Sequence, residues 1–179
     1  MDCKISGDES KAELATLADG KTYQVAVKTN KGDFTFELAT DSSPCTTASF
    51  VGLAQKGFFD GLAFHRIVPG FVIQGGDPAG NGTGGPGYSV VDKPPADTTY
   101  DKGLVAMAKA GNDPAGTSGS QFFVVSADGV HLPPDYAVLG KITDGIDVIE
   151  KIGRLGDPND PSGAPTERIV MEKVQVTSD

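Results

Sequence analysis

Glycine and proline break this chain into short pieces. With 24 Gly and 12 Pro among 179 residues, few stretches are long enough for an ordinary helix, yet the content stays below that of low-complexity chains. Between the breaks, apolar residues recur with a period of two. Tyr23–Thr29 and Asp33–Ala39 alternate across Asn30-Lys31-Gly32, the pattern of a β-hairpin. Further strand-like runs follow at Leu62–Val68, Phe71–Gln74, Leu104–Ala108, Gln121–Ser126, Ala137–Ile142 and Arg168–Val176. Helical spacing is confined to two places. Residues 44–56 follow Ser43 as N-cap and Pro44 as a first-turn proline, with Gly57 as the stop. Gly145–Ile152 is the second. Many short strands with only two helices predict a mainly β fold, a closed antiparallel barrel rather than a parallel α/β sheet.

At roughly 150 residues per domain this length suits one domain. Residues 1–20 are polar and carry five acids (Asp2, Asp8, Glu9, Glu13, Asp19), so they read as an N-terminal extension, with residues 21–179 as the single domain. The formal charge of −9 removes a broad nucleic-acid partner, because phosphate neutralisation needs a clustered basic face. No run approaches the roughly 20 apolar residues of a membrane span, and no export signal is visible.

The most informative stretch is Phe64-His65-Arg66-Ile67-Val68-Pro69-Gly70-Phe71-Val72-Ile73-Gln74-Gly75-Gly76-Asp77. In a strand alternate residues share a face, so Leu62, Phe64, Arg66 and Val68 are expected to point one way. That sets one of only three arginines in an apolar row, where a charge is costly unless paired or used. Taken alone, such an arginine is more often a snorkelling or ion-paired structural residue. Two other rows join apolar surface to one amide each: Val72 with Gln74, and Gln121 with Phe123 and Val125. Three such rows converging would make an apolar pocket with a few fixed polar groups, although each row by itself also suits a barrel core.

Other chemistries fail on inventory. Gly80-x-Gly82-x-x-Gly85 matches a dinucleotide fingerprint in form only, because Pro86, Gly87 and Pro94-Pro95 follow where a helix should start. Gly116-Thr117-Ser118-Gly119-Ser120 is not a nucleophile elbow. His65 and His131, the only histidines, lie in no metal-binding spacing, so no metal is expected.

These residues together resemble the cyclophilin family of peptidyl-prolyl isomerases. Phe64–Asp77 is similar to the family's central motif. Gly82-Thr83-Gly84-Gly85, Met107-Ala108-Lys109-Ala110, Gly119-Ser120-Gln121-Phe122-Phe123 and Ala137-Val138-Leu139-Gly140 follow in the family's order. The resemblance spans residues 23–176 and implies a closed eight-stranded antiparallel barrel capped by two α-helices, in an enzyme that rotates X-Pro bonds, assists protein folding and needs no cofactor. It implies proline-containing peptides and unfolded proteins as partners. By the same resemblance Arg66 is the catalytic arginine and Gln74 orients it, with His65 and Gln121 as polar neighbours. Phe71, Val72, Phe123 and Leu132 resemble the proline pocket, Ala108 and Lys109 the positions that pair with the substrate backbone, and Gly82 and Thr83 the rim near the residue preceding proline.

The chain departs from the common pattern at several points. Val72 stands where methionine is frequent, Lys109 where asparagine is, His131 at a tryptophan position and Tyr136 at a histidine position, and the loop Gly111–Ser118 is longer. Weak cyclosporin binding is expected, since His131 lacks the indole donor and its apolar area. A monomer is expected. Cys3 and Cys45 are either two free thiols of a cytoplasmic protein or a bridge tying the extension to the barrel, as in some exported bacterial relatives; an exported or membrane-tethered domain is the favoured reading. Two competing functions share the sequence: a non-catalytic module that holds proline segments, and an interaction domain using the acidic surface.

Overall fold

In this computed structural model, which describes residues 2–179, the elements run in the order β1 (Ser6–Gly7), a short 3-10 turn at Glu9–Lys11, β2 (Tyr23–Thr29), β3 (Gly32–Leu38), α1 (Pro44–Gln55), β4 (Arg66–Val68), β5 (Val72–Gly75), β6 (Tyr88–Val91), β7 (Leu104–Met107), β8 (Thr117–Ser118), β9 (Phe122–Val125), β10 (Val138–Asp144), α2 (Ile146–Gly153) and β11 (Met171–Ser178). The expected hairpin is β2–β3, antiparallel with Val25 opposite Phe36 and Val27 opposite Phe34, all four buried. Three strands had no sequence expectation. β1, β6 and β8 form a small separate sheet, hidden in stretches where turn residues outnumber any alternating run.

The main sheet has eight antiparallel strands in the order β11-β2-β3-β10-β7-β9-β5-β4. It curls, but the expected closed barrel is not what the pairing shows: no ladder joins β11 to β4. β4 is only three residues long, and the Ile67 N–H donates instead to the Gly163 carbonyl at 2.8 Å. The two ends meet just ahead of those strands, through an Ala63–Val170 bridge and hydrogen bonds from Phe64 N–H to Ile169 and from Met171 N–H to Leu62.

Inside the curl lies an aromatic cluster. Phe50 stacks on Phe59 at 4.6 Å between centroids, and Phe122 meets Phe50, Phe59 and Phe64 edge-on at 5.7, 6.0 and 6.1 Å. The single-face expectation for Leu62, Phe64, Arg66 and Val68 fails at its first two members: Phe64 is fully buried in this cluster and Leu62 packs against it. The strand begins only at Arg66, so the chain ahead of it is irregular and strict alternation does not reach back to Phe64.

Helix α1 is buried on every side, from Cys45 through Ala54. A helix apolar all round must be covered all round, and residues 2–20 supply the outer cover. Ala15 N–H donates to the Ala48 carbonyl, and Gly52 is the contact point, since a Cβ there would collide with the Glu13 carbonyl. Cys3, Ile5, Ala12, Leu14, Ala15 and Leu17 pack against the interior cluster. The Tyr88 hydroxyl, 2.9 Å from Ser49 Oγ and 3.2 Å from the Glu13 amide, pins strap and helix together. Cys3 and Cys45 are joined as a disulfide, their Cα atoms 5.6 Å apart. Closing a loop of sequence separation 42 is worth roughly 4 kcal/mol in the chain-entropy account.

The N-terminus of α1 differs from expectation in one respect. Ser43 makes no side-chain cap; Asp92 reaches across to accept from the Thr46 amide at 2.6 Å. A carboxylate from a distant loop does the capping, where it also complements the helix dipole. α2 packs its buried Ile149 and Ile152 toward the sheet, entered through Gly145 at φ +81°, where a side chain would meet the Asp33 carbonyl and Phe34.

Candidate functional site

Alternation turns the other half of β4, β5, β7 and β9 outward. In β9, Phe122 and Val124 join the interior cluster, whereas Phe123 and Val125 belong to a second one with Val72, Tyr100 and Ala106. Register then lines up one row across four strands: Arg66 opposite Gln74, Gln74 opposite Phe123, Phe123 opposite Ala106. A second row runs Val68, Val72, Val125. Arg66 and Val68 of the first row therefore converge with the other two rows on the outer face of the sheet, whereas Leu62 and Phe64 do not.

A pocket of about 180 Å³ opens there, lined by Arg66, Phe71, Val72, Gln74, Ala108, Lys109, Phe123, Leu132 and Tyr136. Its floor is Val72 and Phe123, both nearly fully buried. Tyr136 stands edge-on to Phe123 at 5.4 Å and to Tyr100 at 5.9 Å. Tyr100, which sequence reasoning missed, holds that wall: its hydroxyl donates to the Tyr136 carbonyl at 2.7 Å and accepts from the Tyr136 amide at 3.0 Å. Burial pushes the Tyr100 phenol above its ordinary value. No local pattern marks Tyr100, because its role exists only through a partner 36 residues away.

Arg66 is half-buried at the pocket edge, its stem against Gly163, where a Cβ would come within 2.8 Å of Arg66 Cγ. Its Nη1 donates to Gln74 Oε1 at 3.4 Å, Gln74 Nε2 donates to Gln121 Oε1 at 3.1 Å, and Gln121 Nε2 donates to the Gly84 carbonyl at 2.9 Å. This relay fixes both amides while occupying the guanidinium only loosely. Among the described residues the ion pairs all use lysines, and none engages Arg66. The ion-paired structural reading of that arginine is thus removed. Lys109 is different: its ammonium is almost fully buried, 2.7 Å from Asp135, 3.1 Å from the Asp113 carbonyl and above the Tyr136 ring.

Gly82 and Thr83 line a larger neighbouring hollow of about 520 Å³ that shares Gln74, Ala108 and Lys109 with the first and also takes in Gln121. The loop that carries them is organised by Asp77, a buried carboxylate accepting from the amides of Ala79, Asn81 and Gly82. Burial works to raise its pKa, but those donors prevail and hold it below the ordinary value. His65 lines a third hollow with Asp77 rather than the smaller pocket, and neither ring nitrogen has a partner among the described residues. Desolvation lowers its pKa, with Asp77 opposing and Arg66 assisting. His131 is exposed and lies outside the lining of the smaller pocket, while its neighbour Leu132 turns in. No grouping of three metal-ligating side chains occurs among the described residues.

Comparison with known proteins agrees with this geometry. The family described as "Cyclophilin type peptidyl-prolyl cis-trans isomerase/CLD" matches residues 24–176. A peptidyl-prolyl cis-trans isomerase of Helicobacter pylori is 44% identical over 143 residues, covering 76% of this chain and 83% of that protein. Peptidyl-prolyl cis-trans isomerase A of Mycobacterium tuberculosis is 37% identical over 174 residues, covering 87% and 93%. Among solved structures, a cyclophilin-type isomerase of Cryptosporidium parvum, crystallised in the presence of the dipeptide Ala-Pro, superposes with a TM-score of 0.76 at 32% identity, covering 87% of this chain and 99% of that one.

Proposed function

The chain belongs to the cyclophilin-type peptidyl-prolyl cis-trans isomerases and catalyses rotation of X-Pro bonds, and on that premise we propose that Arg66 is its catalytic residue and the 180 Å³ pocket its proline site. The observation that carries the reading is a loosely held guanidinium on the rim of an outward-facing apolar pocket.

Rotation about a peptide bond faces about 18–20 kcal/mol because twisting removes amide resonance. No bond is made or broken, so the reaction asks for no nucleophile. As the X-Pro bond twists, a lone pair localises on the prolyl nitrogen. A donor placed beside it stabilises the twisted state more than either planar isomer, and such differential binding is catalysis. Guanidinium suits this role through its several directed donors. Gln74, itself anchored by Gln121 and Gly84, sets the angle of Arg66.

Magnitude divides the labour. A 10⁵-fold acceleration needs about 7 kcal/mol, whereas one charged hydrogen bond contributes about 1.5–3 kcal/mol. The remainder is positioning. Phe71, Val72, Phe123, Leu132 and Tyr136 grip the proline ring, while backbone at Ala108–Lys109 holds the other side of the bond. The Ala108 N–H already donates to the Gln121 carbonyl, so the peptide is left the Ala108 carbonyl and the amide that follows. Proline-containing peptides and unfolded chains are the substrates, and the curled sheet behaves as a barrel closed at the Ala63–Val170 bridge. Exposed His131 offers little apolar area to cyclosporin, so binding is weak; the protein acts as a monomer. A bridge between Cys3 and Cys45 persists in an oxidising compartment, which favours an exported domain. Titration of the unreduced protein should find no free thiol, and two would refute that placement.

NMR exchange spectroscopy with an X-Pro peptide tests the core of the reading. Arg66→Ala should keep the fold and lower the exchange rate by about two to three decades, about 3–4 kcal/mol of transition-state stabilisation. A near-normal rate would reject the role.

A further inference from the structure

The larger hollow beside the proline pocket has a wall from an unexpected part of the chain. Ser6 and Gly7 line it, although they lie some seventy or more residues before Gly82, Ala108 and Gln121 on its other sides. They are held there by main-chain pairing: Ser6 faces Ser89, Gly7 faces Tyr88, and the Asp8 amide donates to the Gly87 carbonyl at 3.0 Å. The fit at Gly7 is close. With φ at +93°, an added Cβ would lie 2.7 Å from the Gly87 carbonyl oxygen. Behind this contact the strap is fastened by the Cys3–Cys45 bridge and by Tyr88.

The two hollows share Gln74, Ala108 and Lys109, so an extended peptide with its proline in the smaller one passes beside the larger one. Building on the isomerase reading above, we propose that strand β1 is a specificity wall of the substrate groove, selecting the side chain at one of the two positions preceding proline. The chemistry of the hollow favours a long cationic or polar side chain such as lysine, arginine or glutamine. Its lining is rich in hydroxyls and backbone, with Asp113 contributing a carboxylate, while the Lys109 ammonium is spent on Asp135. Ser6 itself is exposed and its side chain makes no hydrogen bond among the described residues, so a charge introduced there acts on the groove without disturbing packing.

The test measures kcat/KM on peptides that differ only at the two positions preceding proline, comparing lysine with glutamate at each. Ser6→Asp should raise the lysine-to-glutamate ratio about threefold and Ser6→Lys should lower it by a similar factor, the size expected for one partly screened charge pair. Cys3→Ser combined with Cys45→Ser should bring the parent's ratio closer to one, because the wall is then less firmly held. Equal ratios in the parent and both Ser6 variants, with turnover intact, would overturn the proposal and leave the isomerase reading standing. Absence of turnover in the parent would overturn both.

Discussion

Phe122 and Phe123 are neighbours in one strand and live in different worlds. Phe122 points into the curled sheet among Phe50, Phe59 and Phe64; Phe123 points out, under Tyr100 and Tyr136, as the floor of a pocket. The inner cluster is closed on all sides and can only stabilise. The outer one is walled by loops and open above, so the same apolar chemistry becomes a binding surface. Division of labour between the faces of one sheet explains how Arg66 can sit among apolar groups without a carboxylate: it is on the face that opens to water.

That contrast can be broken by mutation. Phe122→Ala should cost about 3–5 kcal/mol of stability, because the ring leaves a cavity that its packed neighbours cannot refill; chemical denaturation measures it, and a loss under 1 kcal/mol would deny the inner cluster its role. Phe123→Ala should cost about 2 kcal/mol of stability and weaken peptide binding roughly tenfold, seen by NMR titration, since apolar area is lost to substrate as well as to the fold. Unchanged affinity would remove Phe123 from the proline site. Tyr100→Phe should cost about 1–2 kcal/mol by stranding the Tyr136 amide and carbonyl. Its kinetic mark is a raised KM with little change in kcat, and the reverse pattern would count against a positioning role.

The smallest expected effect is a pH slope. The His65 pKa is lowered on folding from its usual 6.5, chiefly by burial, so the folded state takes up a proton less readily than the unfolded chain. Stability contributed by this neutral histidine is complete above pH 6.5 and falls as pH drops below it. The Asp77 carboxyl, held below 3.8, adds a second loss at still lower pH. His65→Gln should flatten the melting temperature against pH between about pH 7 and pH 5; an unaltered slope would assign the acid sensitivity elsewhere.

Much of this was legible in the residues. Alternation in Tyr23–Thr29 gave that strand to the residue, and helical spacing with its cap and stop signals gave the first helix to within one. Arg66, Gln74 and Phe123 stood out as a guanidinium and an amide in apolar rows, but only the family resemblance gave them roles. The extent of Leu62–Val68 was misjudged, since nothing local reveals that Phe64 belongs to the core while Arg66 starts the strand. Tyr100, Asp92 and Ser6–Gly7 carried no signal at all. Each acts only on a group many residues distant, the Tyr136 backbone, the Thr46 amide and strand β6 respectively.

By itself the sequence determined which short runs extend, which two coil, and which polar side chains stand in apolar rows, because those properties depend on near neighbours and on side-chain chemistry. Only the tertiary structure decided that the residues of the pocket share the outer face, that residues 2–20 cover α1 behind a disulfide, and that the sheet's ends meet at a bridge rather than a ladder. Those outcomes depend on register and on loop closure between distant segments, and such contacts form only when the whole chain has folded around them.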